Sequence, residues 1–376
     1  MMYLVTTTIN VPTFLEDICK KNDNFKAIVI GDLKTPKEAW PFCESLGVRY
    51  LDIDDQKKAI PKELWDMMPL NTGSRKMIGT YLAYLEPDCE GVIMMDDDNF
   101  PVEERFITAH SIVGKVAKHS IIQSESGWFN TAESMSEKNN IPFYPRGYPW
   151  SQRFNEAMTH ETVGMVKAVV NQGIVLGDPD IDAVSRLFYP IEVTGIYPHY
   201  YPNFSLSPGT WSSFNDQNTA LSRELIPVYF KPPSGSRNAD IWVGYVIQRL
   251  TEHMGDVVAF GQPLVRQVRN GHDLWEDYEL EKLNNIATDD FVALLRGVEL
   301  TANSYIDALG ELVEWCLPHT PDLLETYDTY RHSQYPTLEK QRERNEAAMD
   351  LIWDFFIDYK AWYDFMKGVP DASNKF

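Results

Sequence analysis

Three consecutive carboxylates, Asp96, Asp97 and Asp98, follow directly on the apolar run Gly91–Met95. Adjacent carboxylates repel one another, and burying even one without a partner is costly. A divalent cation removes that penalty, and Mg²⁺ or Mn²⁺ prefers carboxylate and phosphate oxygens. In extended backbone Asp96 and Asp98 point to one side and Asp97 to the other, so one pair can face a ligand together. A solvated acidic turn, or a helix N-cap before Val102–Phe106, is the plainer alternative. A second cluster is basic: Thr72-Gly73-Ser74-Arg75-Lys76 precedes the apolar positions Ile78, Tyr81, Leu82 and Leu85. This pattern predicts a helix start capped by Thr72 or Ser74. Cations in a first turn oppose the helix dipole. Arg75 and Lys76 are therefore unfavourable there unless an anion such as a diphosphate sits on the free N–H groups. Two solvated surface residues are the alternative.

Weaker candidates stand at other element ends. Thr6, Thr7 and Thr8 end the first apolar run, and Asp32 ends the run VIGD. Asp240 opens the helical stretch NADIWVGYV, where an acid near the N-terminus serves the helix itself. His272 lies in RNGHD and reads as a loop histidine, and the aromatic run Tyr197–Tyr201 reads as loop packing or a sugar-stacking surface. The chain has no GxSxG, P-loop, GxGxxG or HExxH motif, and no Ser-His-Asp ordering is evident.

The elements that must position these residues alternate. Short β-rich runs at Tyr3–Ile9, Lys26–Ile30, Val48–Ile53 and Gly91–Met95 are separated by helical spacing at Pro12–Lys21, Pro36–Leu46 and Ser74–Leu85. Regular alternation predicts a parallel sheet with helices on its faces, and such sheets bind ligands beyond the carboxyl ends of their strands. From about residue 120 to 235 the chain is rich in Pro, Gly, Tyr and Trp and reads as short strands and ordered loops. Asn238–Met254 reads as a helix. Beyond about residue 285 the pattern is helical. In Thr337–Lys367 the residues Met349, Ile352, Trp353, Phe356 and Tyr363 form one stripe, read as packing surface on the catalytic region. The expected division is a catalytic domain over 1–285 and a helical region over 286–376.

The chain has 376 residues, 44% of them hydrophobic, and a net charge of −21. A surface this acidic repels phosphate backbones and anionic membranes, which argues against nucleic acid as a partner. An anionic ligand then needs a local group of cations or a metal. Cys19, Cys43, Cys89 and Cys316 show no knuckle spacing and read as free thiols of a reducing cytosol. The start MMYLVTTTIN lacks the pattern of a signal peptide, and no apolar run reaches the length of a membrane span. A cytoplasmic location is expected.

In order, the blocks MMDDDNF, PRGYPWSQR (145–153), NQGIVLGDPDIDA (171–183), NTALSRELIPVYF (218–230) and RNADIWVGYVIQRLTEHMG (237–255) resemble the plant reversibly glycosylated polypeptides, or UDP-arabinopyranose mutases. More distantly, IGDLKTP and the SRK helix start resemble STELLO-type glycosyltransferase-like proteins. The resemblance spans roughly residues 3–300. It implies an α/β GT-A (Rossmann-like) nucleotide-sugar-binding fold with a C-terminal helical region, a UDP-sugar ligand and a Mn²⁺ or Mg²⁺ ion. It implies that Asp96 and Asp98 hold the metal, with Asp96 also toward the ribose. Asp32 would touch the nucleoside, with Thr7, Thr8, Arg75, Lys76 and Asp97 completing the nucleotide-sugar site. Arg146 sits where the family carries an arginine that can be reversibly glycosylated, and Asp240 would lie near the sugar, so both are the candidate catalytic residues. Where the family has a metal-binding histidine, FGQPLVRQVRNGHD places Gln267, leaving His272 as the candidate third ligand. The resulting expectation is a UDP-sugar enzyme of mutase or self-glycosylating type. An ordinary transferase with an unknown acceptor, a non-catalytic partner subunit, and a homo-oligomeric state all stay open.

Overall fold

The computed structural model describes residues 1–155, 157–271, 273–321 and 338–375. Strands β1 (Met2–Thr8), β2 (Phe25–Gly31), β3 (Arg49–Leu51) and β4 (Gly91–Met95) lie in the order β3-β2-β1-β4 and are mutually parallel. Their unbroken apolar runs reflect burial on both faces. Tyr3, Ile28, Ile30, Val92 and Met94 face one core, while Leu4, Val29, Ile93 and Met95 face another. The second core is closed by α1 (Phe14–Lys21) and α2 (Ala39–Ser45). The first is closed by α5 (Lys76–Tyr84), reached through two short helices absent from the sequence reading, α3 (Ile53–Ala59) and α4 (Lys62–Met67).

Every residue of α5 is buried. It rests directly on β1, because a Cβ on Gly79 would stand 2.4 Å from the Val5 side chain. A three-residue 3₁₀ turn, Gly73–Arg75, leads into α5, and neither Thr72 nor Ser74 caps it through a side chain. Thr72 Oγ1 instead donates to the Pro69 carbonyl at 2.9 Å.

The other half of the sheet is mixed. It is built from β5 (Asn99–Pro101), β6 (Lys115–Ser124), β8 (Thr159–Leu176), β10 (Asn203–Leu206), β11 (Asn218–Ser222) and β12 (Val257–Gln267). The ten strands run β3-β2-β1-β4-β11-β8-β6-β10-β12-β5, and β8 pairs also with β12. Strand β11 is antiparallel to β4 and makes the join. The small pair β7 (Met135–Glu137) and β9 (Val193–Ile196), with α6 (Phe106–His110) and α7 (Ala183–Phe188), completes this half. The sequence reading expected only short strands here, yet β8 has 18 residues. Its first half pairs with β6 and is mostly exposed, so it carries no continuous apolar run; its second half is buried between β11 and β12. The architecture is a Rossmann-like GT-A fold with a helical C-terminal region.

Helix α8 (Ala239–Met254) ends at Gly255, which adopts φ +72°. It is followed after β12 by α9 (Leu274–Gly297), α10 (Tyr305–His319) and α11 (Leu338–Lys367). The expected apolar stripe of α11 turns inward at Ile352, Phe356 and Tyr363, but Trp353 is exposed; Phe355, Tyr359 and Trp362 fill the buried face instead. All three join the same core as α5 and α8. Trp362 stacks on Phe230 with ring centroids 4.8 Å apart and donates from Nε1 to the Pro227 carbonyl at 2.8 Å. Tyr359 donates its hydroxyl to the Val228 carbonyl at 2.7 Å. Helix α11 thus pins residues 227–230 from behind. Trp362→Ala should destabilise the whole chain by about 3–5 kcal/mol, as for other large-to-small core changes. Denaturant unfolding checks this, and a single cooperative transition with a lower midpoint is the expected result.

Candidate active site

The carboxyl ends of β1, β2 and β4 open onto a cavity of about 430 Å³ lined by Thr7, Thr8, Asp32, Thr72, Gly73 and Asp96–Asp98, among others. A second cavity of about 290 Å³ adjoins it, lined by Arg146, Asp180, Asp216, Lys231, Asp240 and Gln267, among others. Gly73, Asp96 and Asp98 line both, so the two chambers share one seam. Their volumes suit a nucleotide at one end and a sugar at the other. The parallel half of the sheet supplies the first chamber and the mixed half the second.

The seam is built around buried charge. Lys76 Nζ lies 2.7 Å from Asp96 Oδ1 and 3.3 Å from Asp216 Oδ1, and donates to the Asp216 carbonyl at 2.9 Å. Lys231 Nζ approaches the same Asp216 carboxylate at 3.3 and 3.4 Å. Burial opposes the Lys76 ammonium, but the carboxylates of Asp216 and Asp96 outweigh it and hold the lysine protonated. Burial likewise lifts the Asp96 carboxyl above its ordinary range, with Lys76 pulling the other way. Asp98 is raised too, first by burial and against the Gln267 amide, whose Nε2 donates to Asp98 Oδ2 at 3.1 Å.

The triplet divides at a turn: β4 ends at Met95, and Asn99 N donates to the Asp96 carbonyl at 3.3 Å, so Asp97 and Asp98 lie in a turn and not in extended backbone. Asp97 turns back to the β1 end, where its Oδ2 accepts from Thr8 Oγ1 at 2.7 Å, Ile9 N at 3.0 Å and Asn10 Nδ2 at 3.1 Å. It fixes the loop after β1 while still lining the first chamber. Asp32 accepts from the Asn71 amide at 2.7 Å and lines the same chamber, as do Thr7 and Thr8.

Arg75 does not reach either chamber. Its side chain is fully buried, NH1 donates to the Met68 carbonyl at 2.8 Å and NH2 to Gln56 Oε1, and Nε stands 3.7 Å from Asp32. The guanidinium also lies 4.9 Å from the Trp65 ring centroid. The 3₁₀ turn rotates Arg75 toward α4, whereas Lys76 points to the seam; adjacent residues on a tight turn face different sides.

Arg146 is held on every side. Nε donates to Asp180 Oδ1 at 2.8 Å, NH2 to Asp240 Oδ2 at 2.9 Å, and NH1 to Asn238 Oδ1 at 2.9 Å and to the Arg237 carbonyl. Burial weighs against its charge, yet Asp180 and Asp240 raise its pKa well above the usual value. Asp180 is in turn held below the usual carboxylate range, the attraction of Arg146 overcoming burial. Its loop is fixed by Gly147 at φ +70°, where a Cβ would stand 2.5 Å from Ile241, and by Tyr245, whose hydroxyl donates to the Gly147 carbonyl at 2.8 Å. Of the acids that could have paired with Arg146, Asp182 caps α7 and binds Arg153, while Asp178 binds Arg186 and Arg269. A doubly paired, buried guanidinium is a clamp and a poor nucleophile.

His272 lies outside the described residues. Among those described, no group of three or more His, Cys, Asp or Glu side chains is placed to hold a metal. Asp96 and Asp98 still offer hard oxygen donors at the seam; the Gln267 side chain beside them turns its Nε2 to Asp98 and its Oε1 toward Arg269 NH2, 3.5 Å away. That donor set fits a Mg²⁺-like ion, which takes one or two carboxylates and completes its shell with water and phosphate oxygens. Sequence reasoning passed over Lys231, Asp216, Arg237 and Arg269. Lys231 follows an apolar run and precedes two prolines, and Asp216 sits in a polar loop, so neither spacing marks a site.

The fold defines the class: an α/β protein of GT-A type with a two-chambered trough at the carboxyl ends of its parallel strands. Over 190 residues, 49% of its length, the chain is 28% identical to UDP-arabinopyranose mutase 3 of Arabidopsis thaliana, covering 48% of that protein. It is 28% identical over 190 residues to UDP-arabinopyranose mutase 1 of the same plant, covering 49% of it. It is 27% identical over 192 residues to probable UDP-arabinopyranose mutase 1 of Pisum sativum, covering 48% of it. The chain is thus similar to the UDP-arabinopyranose mutases, and it spans about half the length of the curated relatives it matches. No protein-family profile matches it. No helix among the described residues is long and apolar enough to cross a membrane.

The geometry separates Arg75 from its neighbour. Arg75→Met removes charge-assisted hydrogen bonds to Met68 and Gln56 and should destabilise the chain by about 3 kcal/mol, leaving nucleotide affinity near the wild-type value. Thermal melts and calorimetry with UDP on the same variant check both halves of that expectation.

Proposed function

We propose that the chain is a metal-dependent UDP-sugar enzyme acting at the anomeric carbon, of the mutase type. The observation that carries this reading is the seam: Gly73, Asp96 and Asp98 line both chambers, so a diphosphate lying there would join a nucleoside on one side to a sugar on the other. The mutase names of the similar proteins supply the UDP and the sugar chemistry. Asp32, Thr7, Thr8 and Asp97 would line the nucleoside end. Asp96 and Asp98 would hold Mn²⁺ or Mg²⁺, which when bound neutralises charge on a leaving diphosphate. Lys76 adds fixed positive charge beside Asp96. Asp240 and Asp180, locked by Arg146, would present oxygen atoms to the sugar hydroxyls. Residues 1–285 form the catalytic region in this reading, with 286–376 supporting it from behind.

Recapture of the sugar distinguishes the variants of this proposal. Arg146 is paired with Asp180 and Asp240, which favours rearrangement of the sugar, or transfer to a separate acceptor, over attack by that guanidinium. The test incubates the protein with a panel of UDP-sugars and Mn²⁺ and separates pyranose, furanose and hydrolysed products. Pyranose–furanose exchange without an adduct on Arg146, by intact-protein mass spectrometry, is the expected outcome, and Asp98→Asn should abolish it with the fold retained. An Arg146 adduct would establish self-glycosylation instead. Tight metal-dependent UDP binding without exchange would favour a transferase with a separate acceptor.

A pH dependence also follows. Burial raises both Asp96 and Asp98 above ordinary carboxylates, and a metal binds only their ionised forms. Protons therefore compete at higher pH than for exposed acids, and Mn²⁺-dependent UDP affinity should weaken from about pH 7 toward pH 5. Calorimetry across that range checks it; a flat profile counts against these ligands.

A further inference from the structure

Two lysines share the buried carboxylate of Asp216, and they are not equivalent. Lys76 is committed: its ammonium is engaged by Asp96 at 2.7 Å and the Asp216 carbonyl at 2.9 Å, and its side chain is 1% exposed. Lys231 meets Asp216 only at the long end of hydrogen bonding, 3.3 and 3.4 Å, and its side chain lines the second chamber with 16% exposure. Its amine stands 3.0 Å from where a Cβ on Gly73 would be, so it sits at the seam, over the turn that starts α5. The backbone that carries it is rigid. Tyr229 and Phe230 before it are buried, and α11 holds the carbonyls of Pro227 and Val228 through Trp362 and Tyr359.

Charge counting at the seam adds a second argument. Lys76 and Lys231 face Asp96 and Asp216. Asp240 lines the same chamber and also acts on Lys231, but Lys76 is saturated by its close partners, so the ammonium left able to turn to a ligand is that of Lys231. A buried, pre-placed ammonium facing a chamber is a phosphate-binding device.

We propose that Lys231 binds the β-phosphate of a nucleoside diphosphate at the seam, a role for which the sequence pattern had offered Arg75 and Lys76. The assignment rests on the nucleotide-sugar reading above and names a contact that reading does not include. Lys231 lies on the sugar side of the seam, so its partner is the phosphate next to the sugar and not the one next to the nucleoside.

The test is calorimetry with UDP, UMP and uridine in Mn²⁺ on the wild type, Lys231→Met, Lys231→Gln and Lys231→Arg. UDP affinity should fall at least tenfold in the Met and Gln variants and recover in part in the Arg variant, while UMP and uridine affinities stay at the wild-type level. Met and Gln differ in polarity, so a folding defect confined to one leaves the other to carry the measurement, with melting temperature read alongside. Unchanged UDP affinity in a folded Met or Gln variant overturns the assignment and leaves the nucleotide-sugar reading intact. An equal loss for UDP, UMP and uridine also overturns it, because a general disturbance of the trough then explains the effect. A wild type that binds none of the three overturns both.

Discussion

Carboxylates buried at the carboxyl ends of a sheet are the constraint around which this molecule is arranged. Asp96, Asp180, Asp216 and Asp240 all line one trough in a chain whose net charge is −21. Removing one cation from such a group leaves an uncompensated buried charge, at several kcal/mol. The chain answers with cations brought from separate parts of the sequence: Lys76 from the start of α5, Lys231 from the segment after β11, Arg146 from a glycine-containing loop. The pairing leaves carboxylates and cations side by side along the trough.

The scaffold places these groups with little freedom. Close packing of α5 on β1 through Gly79 fixes the height of Lys76 above the strand ends. Gly147, pressed against Ile241 on α8, sets Arg146 between Asp180 and Asp240. On the far side, α11 grips the backbone of residues 227 and 228. Helix α11 therefore supports the site from behind, by holding the end of the 3₁₀ turn Arg223–Val228 that leads to Lys231. A chain similar to UDP-arabinopyranose mutases over half its length supports its trough with a helix of 30 residues at its own C-terminal end.

Each half of the sheet has a distinct task. The parallel half, β3-β2-β1-β4, ends in small polar and acidic residues, among them Thr7, Thr8, Asp32 and Asp96, that line the first chamber. The mixed half brings in β8, β11 and β12, whose ends carry polar side chains such as Gln172, Asn215 and Gln267. Strand β11, antiparallel to β4, is the join that sets the two chambers side by side. The seam between them is where a diphosphate would lie, and it is where the lysines are.

The parallel strands, α1, α2, α5, α8 and α11 were legible in the sequence because local periodicity reports burial directly. Asp97 does stand apart from Asp96 and Asp98, but a turn after β4 separates them and not the alternation of an extended segment. Local pattern could not place Arg75. A 3₁₀ turn in place of a capped helix start rotates it into the core beside Gln56 and Trp65, and that turn is set by packing with α4. Nor could it find Asp216, whose partner Lys76 lies 140 residues away in sequence, or Lys231, whose partner is that same unmarked Asp216. Nor could it choose the acids that meet Arg146 from the several in 178–182 and Asp240; Asp182 serves as the cap of α7, and Arg186 and Arg269 hold Asp178. The sequence by itself determined which strands form and which carboxylates end them, because those depend on neighbours along the chain. Only the tertiary structure decided which cation meets which carboxylate, because ion pairs across a trough depend on distances that no spacing in sequence encodes.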